Sequence, residues 1–451
     1  MPHEATLNEL VGETIIAIDT LWGGDVMNPS GTGRFIADCW FSAQPLPPAY
    51  WHPSAALLRA SGGVSAPEID RAAAAEYLAA VDLPRSLAAL AAEAAAIGGL
   101  RGRYLSGLAE CIAVMWALAL ERLGQGPAVP YEQCVRTVTG QPPGPSDPAP
   151  LRQRVEQLLS DRGYRAGGDR QLVDAVSTWR RDRRVPRGSI ETLAGMCIAE
   201  LDRLTAANVV PHLPAPLHDV PRANIRFLPI EDAWFSGSMN YLGHARHTDG
   251  RPAYEATYEI NAALEISEPE FWQLVSHEVV PGHVTTFAYL QDLHWRGQVG
   301  FEASVLTMNT RAATLFEGIA NNAILMAYGV NGVDDLPDPE LQIGVSLALL
   351  QDAAKNQASY LTWHEHRPQH EVAPILRREY LVSEERADKL SGAWARHPLL
   401  GRMYLPAYRA GTELVARLRR EHPPEQLLPV LFGCAGLVDA MTIEDALRGH
   451  A

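Results

Sequence analysis

The spacing of apolar and polar positions divides the chain into a helical first half, a short stretch of strands, and a second helical stretch. Residues 66–123 are rich in Ala and Leu, with charges at helical intervals such as Arg71, Glu76, Arg85 and Glu93. This pattern predicts several helices, punctuated by Pro84 and by Gly98-Gly99. Residues 140–150 (GQPPGPSDPAP) predict a loop, because prolines fix φ and remove backbone donors. Helices are expected to resume over 151–161 and 189–206. Past Pro211 the period shortens. Residues 225–230, 235–242 and 253–261 are rich in β-branched or aromatic side chains and are separated by turn formers including Asp249-Gly250, which predicts a small antiparallel sheet. A helix then begins near Ser267, which precedes Pro269 and Glu270 as a capping residue would. Apolar-periodic stretches at 340–361, 384–395 and 412–420 carry the helical pattern towards the C-terminus. The expected organisation is an N-terminal helical region over 1–210 and a region over 211–451 that holds the sheet and the chemistry.

Composition changes this picture mainly by exclusion. A chain of 451 residues, 47% of them apolar, can bury a large core. Its formal net charge of −15, from 53 acidic against 38 basic residues, comes with no long basic run, so nucleic acid is not an expected partner. Nearly all the basic residues are Arg, with Lys only at 355 and 389. Cys39, Cys111, Cys134, Cys197 and Cys434 are odd in number, scattered, and never paired as Cys-x-x-Cys, which points to a reducing compartment and away from a sulfur-ligated metal. The first residues carry His3, Glu4, Glu13 and Asp19, without the basic and apolar regions of a signal peptide. The longest clean apolar run, residues 111–120, lies between Glu110 and Glu121 and falls below the roughly 18 residues of a membrane span. A cytoplasmic protein without a membrane partner is the expectation.

The candidate chemistry lies in Ser276-His277-Glu278-Val279-Val280-Pro281-Gly282-His283. This is close to the zincin pattern His-Glu-x-x-His, stretched by two residues. Four residues apart, two histidines stand about 40° from each other round a helix and face one metal, with the intervening Glu beside its water. Six apart, they stand about 120° from each other on an unbroken helix. Pro281 interrupts the backbone ladder at His277 and Gly282 permits unusual φ, so a break here can swing His283 back towards His277. A third ligand is expected from a following helix, and Glu317 in Leu315-Phe316-Glu317-Gly318-Ile319-Ala320 is the best candidate, with Gly318 allowing close helix approach. Two imidazoles and one carboxylate leave a fourth zinc position open, the coordination of a catalytic site. Zinc suits such donors better than calcium or magnesium. Glu278 is then the general base that takes a proton from water and passes it to the leaving group.

The motif His-Glu-x-x-Pro-Gly-His followed by Phe-Glu-Gly-x-Ala resembles a bacterial family of helical zincin-like proteins classed as a domain of unknown function. More distantly it is similar to the helical metallopeptidases related to thimet oligopeptidase and angiotensin-converting enzyme. The resemblance takes in Ile225-Arg226-Phe227-Leu228-Pro229, Tyr258-Glu259-Ile260-Asn261 and Tyr408-Arg409-Ala410-Gly411, and so covers the C-terminal half. It implies a mainly α, zincin-like fold with a small antiparallel sheet beside the metal-binding helix. It implies His277, His283 and Glu317 as zinc ligands, Glu278 as the base, and Tyr408 as a donor to the oxyanion. Family members usually continue the motif with His and Gln, where Val284, Thr285 and Thr286 stand here, and carry Trp where Ile319 stands. These departures leave the ligands intact and bear on the substrate.

The expected activity is hydrolysis of an amide bond in a short peptide admitted to a cleft. The alternatives are a hydrolase or lyase acting on a non-peptide small molecule, and a non-catalytic metal- or ligand-binding protein. Other candidate residues have plainer readings. Glu302 is a fallback third ligand. His364, Glu365, His366 and His370 read as a solvated helix end beside Arg367-Pro368, because alternate residues on a helix point apart. His244 and His247 read as exposed turn residues. Tyr408 equally fits a core tyrosine whose hydroxyl satisfies a buried carbonyl, and Asp352 and Arg402 are similar cases. The stretch 253–261 is either an ordinary hairpin strand or an edge strand that pairs with an extended peptide.

Overall fold

Several helix starts fall where capping residues and N-terminal prolines place them. The computed structural model describes residues 2–28, 35–186, 188–230, 237–261 and 265–450. The first part comprises α1 (Pro2–Leu21), strand β1 (Ala37–Trp40), α2 (Pro48–Trp51), α3 (Pro53–Ser61), α4 (Arg71–Ala80), α5 (Leu83–Ile97), α6 (Gly99–Leu123), α7 (Tyr131–Thr139), α8 (Ala149–Ser160), α9 (Asp169–Asp182) and α10 (Ile190–Asn208). Asp70 and Asp82 cap α4 and α5 by accepting the backbone N–H groups of Ala73 and Arg85. Gly98 and Gly99 sit at positive φ and turn the chain from α5 into α6. By length and composition α6 could cross a membrane, yet its inner face, including Leu105, Ile112, Met115 and Leu118, is buried among the N-terminal helices. The fold is mainly α.

Strands β2 (Ile225–Ile230), β3 (Gly237–Tyr241) and β4 (Ala256–Asn261) follow, close to the three stretches read from the sequence. Of the stretch 235–242, residues 235 and 236 lie outside the described residues. The sheet is mixed rather than wholly antiparallel: its order is β2-β4-β3, with β4 antiparallel to β3 and parallel to β2. Successive strands reverse direction, so placing the third between the first two makes one pairing parallel. This also corrects the edge-strand reading of 253–261, because β4 has partners on both sides and no free ladder for a peptide. The edges are β2 and β3. Phe227 and Tyr258 on the sheet meet Phe271, Leu274 and Val275 of the next helix across a narrow apolar crevice.

The C-terminal part comprises α11 (Glu268–Glu278), α12 (His283–Trp295), strand β5 (Val305–Thr307), α13 (Arg311–Ala327), α14 (Pro339–Trp363), α15 (Gln369–Tyr380), α16 (Glu384–Lys389), α17 (Leu405–Glu421), α18 (Pro424–Gly433) and α19 (Ile443–His450). Ser267 caps α11 by accepting the Glu270 N–H, and its hydroxyl donates in turn to the Glu270 carboxylate at 2.7 Å. Strand β5 pairs with β1 across more than 260 residues of chain, a contact no local pattern announces. Buried apolar side chains form three clusters, and each draws residues from both sides of residue 210. The change of pattern at 210 therefore does not coincide with a boundary between cores.

Candidate metal centre

The stretched motif resolves into two helices. α11 ends at Glu278, Val279 leaves the helical region at φ −115° and ψ −83°, and α12 begins at His283. Gly282 is obligatory at the corner, because a Cβ there would lie 1.8 Å from the carbonyl oxygen of His277. The corner is stitched from the far side: Thr285 N–H and its hydroxyl both donate to Val279 O, and the Thr286 hydroxyl donates to Gly282 O. The break brings the two imidazoles together at 4.8 Å between centroids, at right angles. Val284, Thr285 and Thr286, where the sequence departs from the pattern it resembles, are fully buried. The two threonine hydroxyls serve the corner.

Glu317 arrives from α13, whose residues from Ala312 to Ala327 are all buried. It is brought close by a glycine contact between α13 and α17: a Cβ on Gly318 would lie 2.2 Å from Gly411 O, and one on Gly411 would lie 2.0 Å from Thr314 O. Glu317 Oε2 stands 3.6 Å from His277 Nε2, and its Oε1 stands 3.8 Å from His283 Nε2. One ligand atom from each of the three residues falls within 4.8 Å of the others, the single such group found among the described residues. These separations leave room for one small cation between the donors.

Hydrogen bonds orient the donors. Thr412 Oγ1 donates to Tyr408 O and so accepts from Asn321 Nδ2 at 2.7 Å, which turns Asn321 Oδ1 towards His277 Nδ1, also at 2.7 Å. Asn321 Oδ1 can only accept, so His277 carries its proton on Nδ1 and presents a lone pair on Nε2 towards Glu317. His283 stacks on Phe287 at 5.5 Å. Tyr404 donates to Glu317 Oε1 at 2.5 Å, whereas the buried Oε2 has no hydrogen-bond partner. An orphaned carboxylate oxygen beside two imidazole nitrogens fits a cation, because leaving it unpaired in the core is costly.

Burial shapes the protonation of all three. It pushes the Glu317 carboxyl up to about 7, against the lowering influence of Lys355 and the Tyr404 hydroxyl. Burial, with the Lys355 charge behind it, lowers His283 to about 4. His277 is likewise held well below its ordinary value, first by burial, then by His283 and Lys355. Both imidazoles are therefore neutral near pH 7, the form that can donate a lone pair. The hydroxyls of Tyr404 and Tyr408 are pushed well above the ordinary phenol value by burial and by the Glu317 charge, and stay protonated.

Glu278 is not one of the converging ligands. It lines the crevice where α11 meets β2 and β4, and its charge reaches Tyr258 and Tyr408. Tyr408 is 8% exposed, and its ring packs edge-on against Tyr404 at 5.1 Å between centroids. Tyr404 and Asn321 were not singled out in the sequence. Tyr404 precedes Tyr408 by four residues, a spacing that itself signals a shared face. The remaining candidates lie elsewhere. Glu302 is engaged by Arg101 at 2.7 Å and takes no part in the group. Arg402 pairs with Glu121 at 3.0 Å. His364 stacks on Tyr360, Glu365 pairs with Arg367, and neither they nor His366, His370, His244 and His247 form a metal-ligand group.

Comparison with known proteins adds the fold and little else. No family model matches the chain, and no curated protein matches it. The crystal structure of a candidate lipoprotein from Colwellia psychrerythraea is similar at TM-score 0.51 and 15% identity, over 77% of this chain and 63% of that one. This chain thus spans less than two thirds of that protein. A candidate lipoprotein of unknown function from Shewanella oneidensis gives TM-score 0.48 and 16% identity, over 85% of this chain and 68% of that one.

Proposed function

We propose that the protein is a metal-dependent hydrolase, with zinc held by His277, His283 and Glu317, that cleaves amide bonds in short peptides. The observation that carries this reading is the convergence of three buried donor atoms within 4.8 Å, one imidazole fixed in its ligating tautomer by Asn321. Two nitrogens and one carboxylate are the donor set of open, catalytic zinc sites. A divalent ion there supplies Lewis acidity, polarising a carbonyl and lowering the pKa of water.

The chain's own residues then have defined tasks. The Glu278 carboxylate takes a proton from water as the water oxygen bonds to the amide carbon. The C–N bond breaks, and the same proton passes from Glu278 to the departing nitrogen. The hydroxyl of Tyr408, kept protonated by its surroundings, donates to the oxyanion that develops on the former carbonyl oxygen. Tyr404 holds Glu317 in place.

Elemental analysis of protein purified without chelator tests the site. About one zinc per chain is expected in the wild type and none in His283→Ala. Glu278→Gln should keep its zinc and lose about 10²–10⁴-fold in turnover of di- and tripeptides. Zinc-free wild-type protein that also refuses added zinc would remove the hydrolase reading, and turnover of esters or non-peptide amides alone would replace the peptide substrate.

A further inference from the structure

The residues that bring Tyr404 to Glu317 have no task in the hydrolytic reading. Tyr404 ends a wide, π-helical turn, Leu400–Tyr404, that runs straight into α17. Single π turns of this kind are frequent at functional sites. The turn is held from two sides. At its start, Nδ1 of His397 accepts the backbone N–H groups of Leu399 at 3.2 Å and of Leu400 at 3.1 Å. From α14, the Ser359 hydroxyl donates to Gly401 O at 2.5 Å and accepts in turn from the Tyr131 hydroxyl at 2.7 Å. Gly401 passes so close to the preceding segment that a Cβ on it would lie 2.0 Å from Ala395 O. At the far end the Tyr404 hydroxyl donates to Glu317 Oε1 at 2.5 Å, and Glu317 Oε2 is left facing His277 Nε2 at 3.6 Å.

His397 accepts with Nδ1, so its proton sits on Nε2, and that atom is buried with no hydrogen-bond partner. Leaving a buried donor unpaired is costly, so the residue is kept for what its other nitrogen and its ring do. The ring stacks on Phe35 at 5.1 Å and lies 6.2 Å from Trp22, both in the N-terminal part of the chain. Burial, with the Arg122 and Arg402 charges behind it, lowers its pKa to about 4, and the neutral ring keeps its lone pair near pH 7. We infer that His397 is a positioning residue for the candidate metal centre: by capping the turn it fixes Tyr404, and through Tyr404 the orientation of the Glu317 carboxylate. That Glu317 is a zinc ligand rests on the hydrolase reading; the path from His397 through the turn to Glu317 does not.

Two substitutions separate the acceptor from the ring. His397→Asn removes the aromatic face and keeps an acceptor for the N–H groups two and three residues on, the contact a short amide makes in turns. His397→Phe keeps the face and removes the acceptor. The first measurement is proton NMR of metal-free protein at pH 8, above the value of about 7 to which the Glu317 carboxyl is raised. A short bond from a phenol to a carboxylate gives a hydroxyl resonance downfield of the amides, assigned by its absence in Tyr404→Phe. Wild type and His397→Asn should show it, and His397→Phe should lose it. In competition with a chelating dye, His397→Phe should bind zinc about tenfold more weakly, and His397→Phe combined with Tyr404→Phe no more weakly than Tyr404→Phe alone, as expected of residues that act through one another. Ser359→Ala releases the turn from its other side and takes the place of His397→Phe if that variant does not fold. A resonance that is missing from the wild type, persists in the folded variant, or is lost equally in His397→Asn overturns the inference, as do additive losses of zinc affinity or a wild-type affinity once the resonance is gone. The expected pattern of resonances in a protein that takes up no zinc supports the path from His397 to Glu317 while the hydrolase reading falls.

Discussion

Asn321 determines which nitrogen of His277 is available, and Glu317 determines the pH at which the site can be filled. Removing the amide in Asn321→Ala frees the imidazole to change tautomer and rotate, and should weaken zinc binding by about 10–100-fold, measured by competition with a chelating dye. The pH dependence follows from the direction of each shift. The Glu317 carboxyl is raised to about 7, so a proton competes with the ion below that value and apparent zinc affinity should fall about tenfold per pH unit. His277 and His283 are shifted the other way, and His283 adds no competition until about 4. A slope near one between pH 6.5 and 5 is expected, and a slope near three would mean that the histidines titrate with Glu317. The role of Glu317 as a candidate donor was legible because an acidic residue beside a glycine stood on the next strongly helical stretch. Asn321 was not, since an amide four residues further along the same helix carries no signature apart from its partner.

At the scale of elements, the site depends on two places where the backbones come too close for a side chain. Gly282 lets α12 restart against the end of α11, and Gly318 with Gly411 lets α13 and α17 touch. Adding one methyl in Gly318→Ala or Gly411→Ala must push these helices apart and should destabilise the protein by about 1–3 kcal/mol in denaturant unfolding. The same separation moves Glu317 away from the imidazoles, so zinc content should fall in the fraction that remains folded. A structurally tolerant control exists in Gly195→Ala, on an open face of α10 where nothing lies within 4 Å of the added Cβ. Sequence periodicity located α4, α5, α6, α10 and α11 well, because each has an apolar stripe with a capping residue or glycine at its end. It passed over α9, whose buried Leu172, Ala175, Val176 and Trp179 have helical spacing but are diluted by Arg and Asp. The sheet strands were legible, and their order was not, since period-two alternation says nothing about which neighbour a strand takes.

For the whole molecule, the ligand group lies where separate parts of the chain meet: α11 and α12 pack in one core cluster, α14 beside Lys355 faces another, and the segment carrying Met403 and Tyr404 touches the N-terminal helices. Filling the site therefore ties together elements that otherwise meet only through side-chain packing. Zinc at about one hundred times its dissociation constant should add about 2.7 kcal/mol to stability, seen as a rise in melting temperature that is absent in His283→Ala. Identical melting of chelated and zinc-saturated wild type would mean that no ion binds the native state in preference to the unfolded chain.

Local sequence determined that the chain is mainly helical, where several helices and the three strands of the mixed sheet lie, and that His277, Glu278, His283 and Glu317 were the residues to watch, because propensity, capping and motif spacing are properties of neighbouring residues. Tertiary structure decided the rest. The pairing of β1 with β5, the central position of β4, the glycine contact that delivers Glu317, and the hydrogen bonds of Tyr404 to Glu317 and of Asn321 to His277 all join residues far apart in the chain. Such contacts are selected by packing and by the need to satisfy buried polar groups, and those forces act only once the chain has closed on itself.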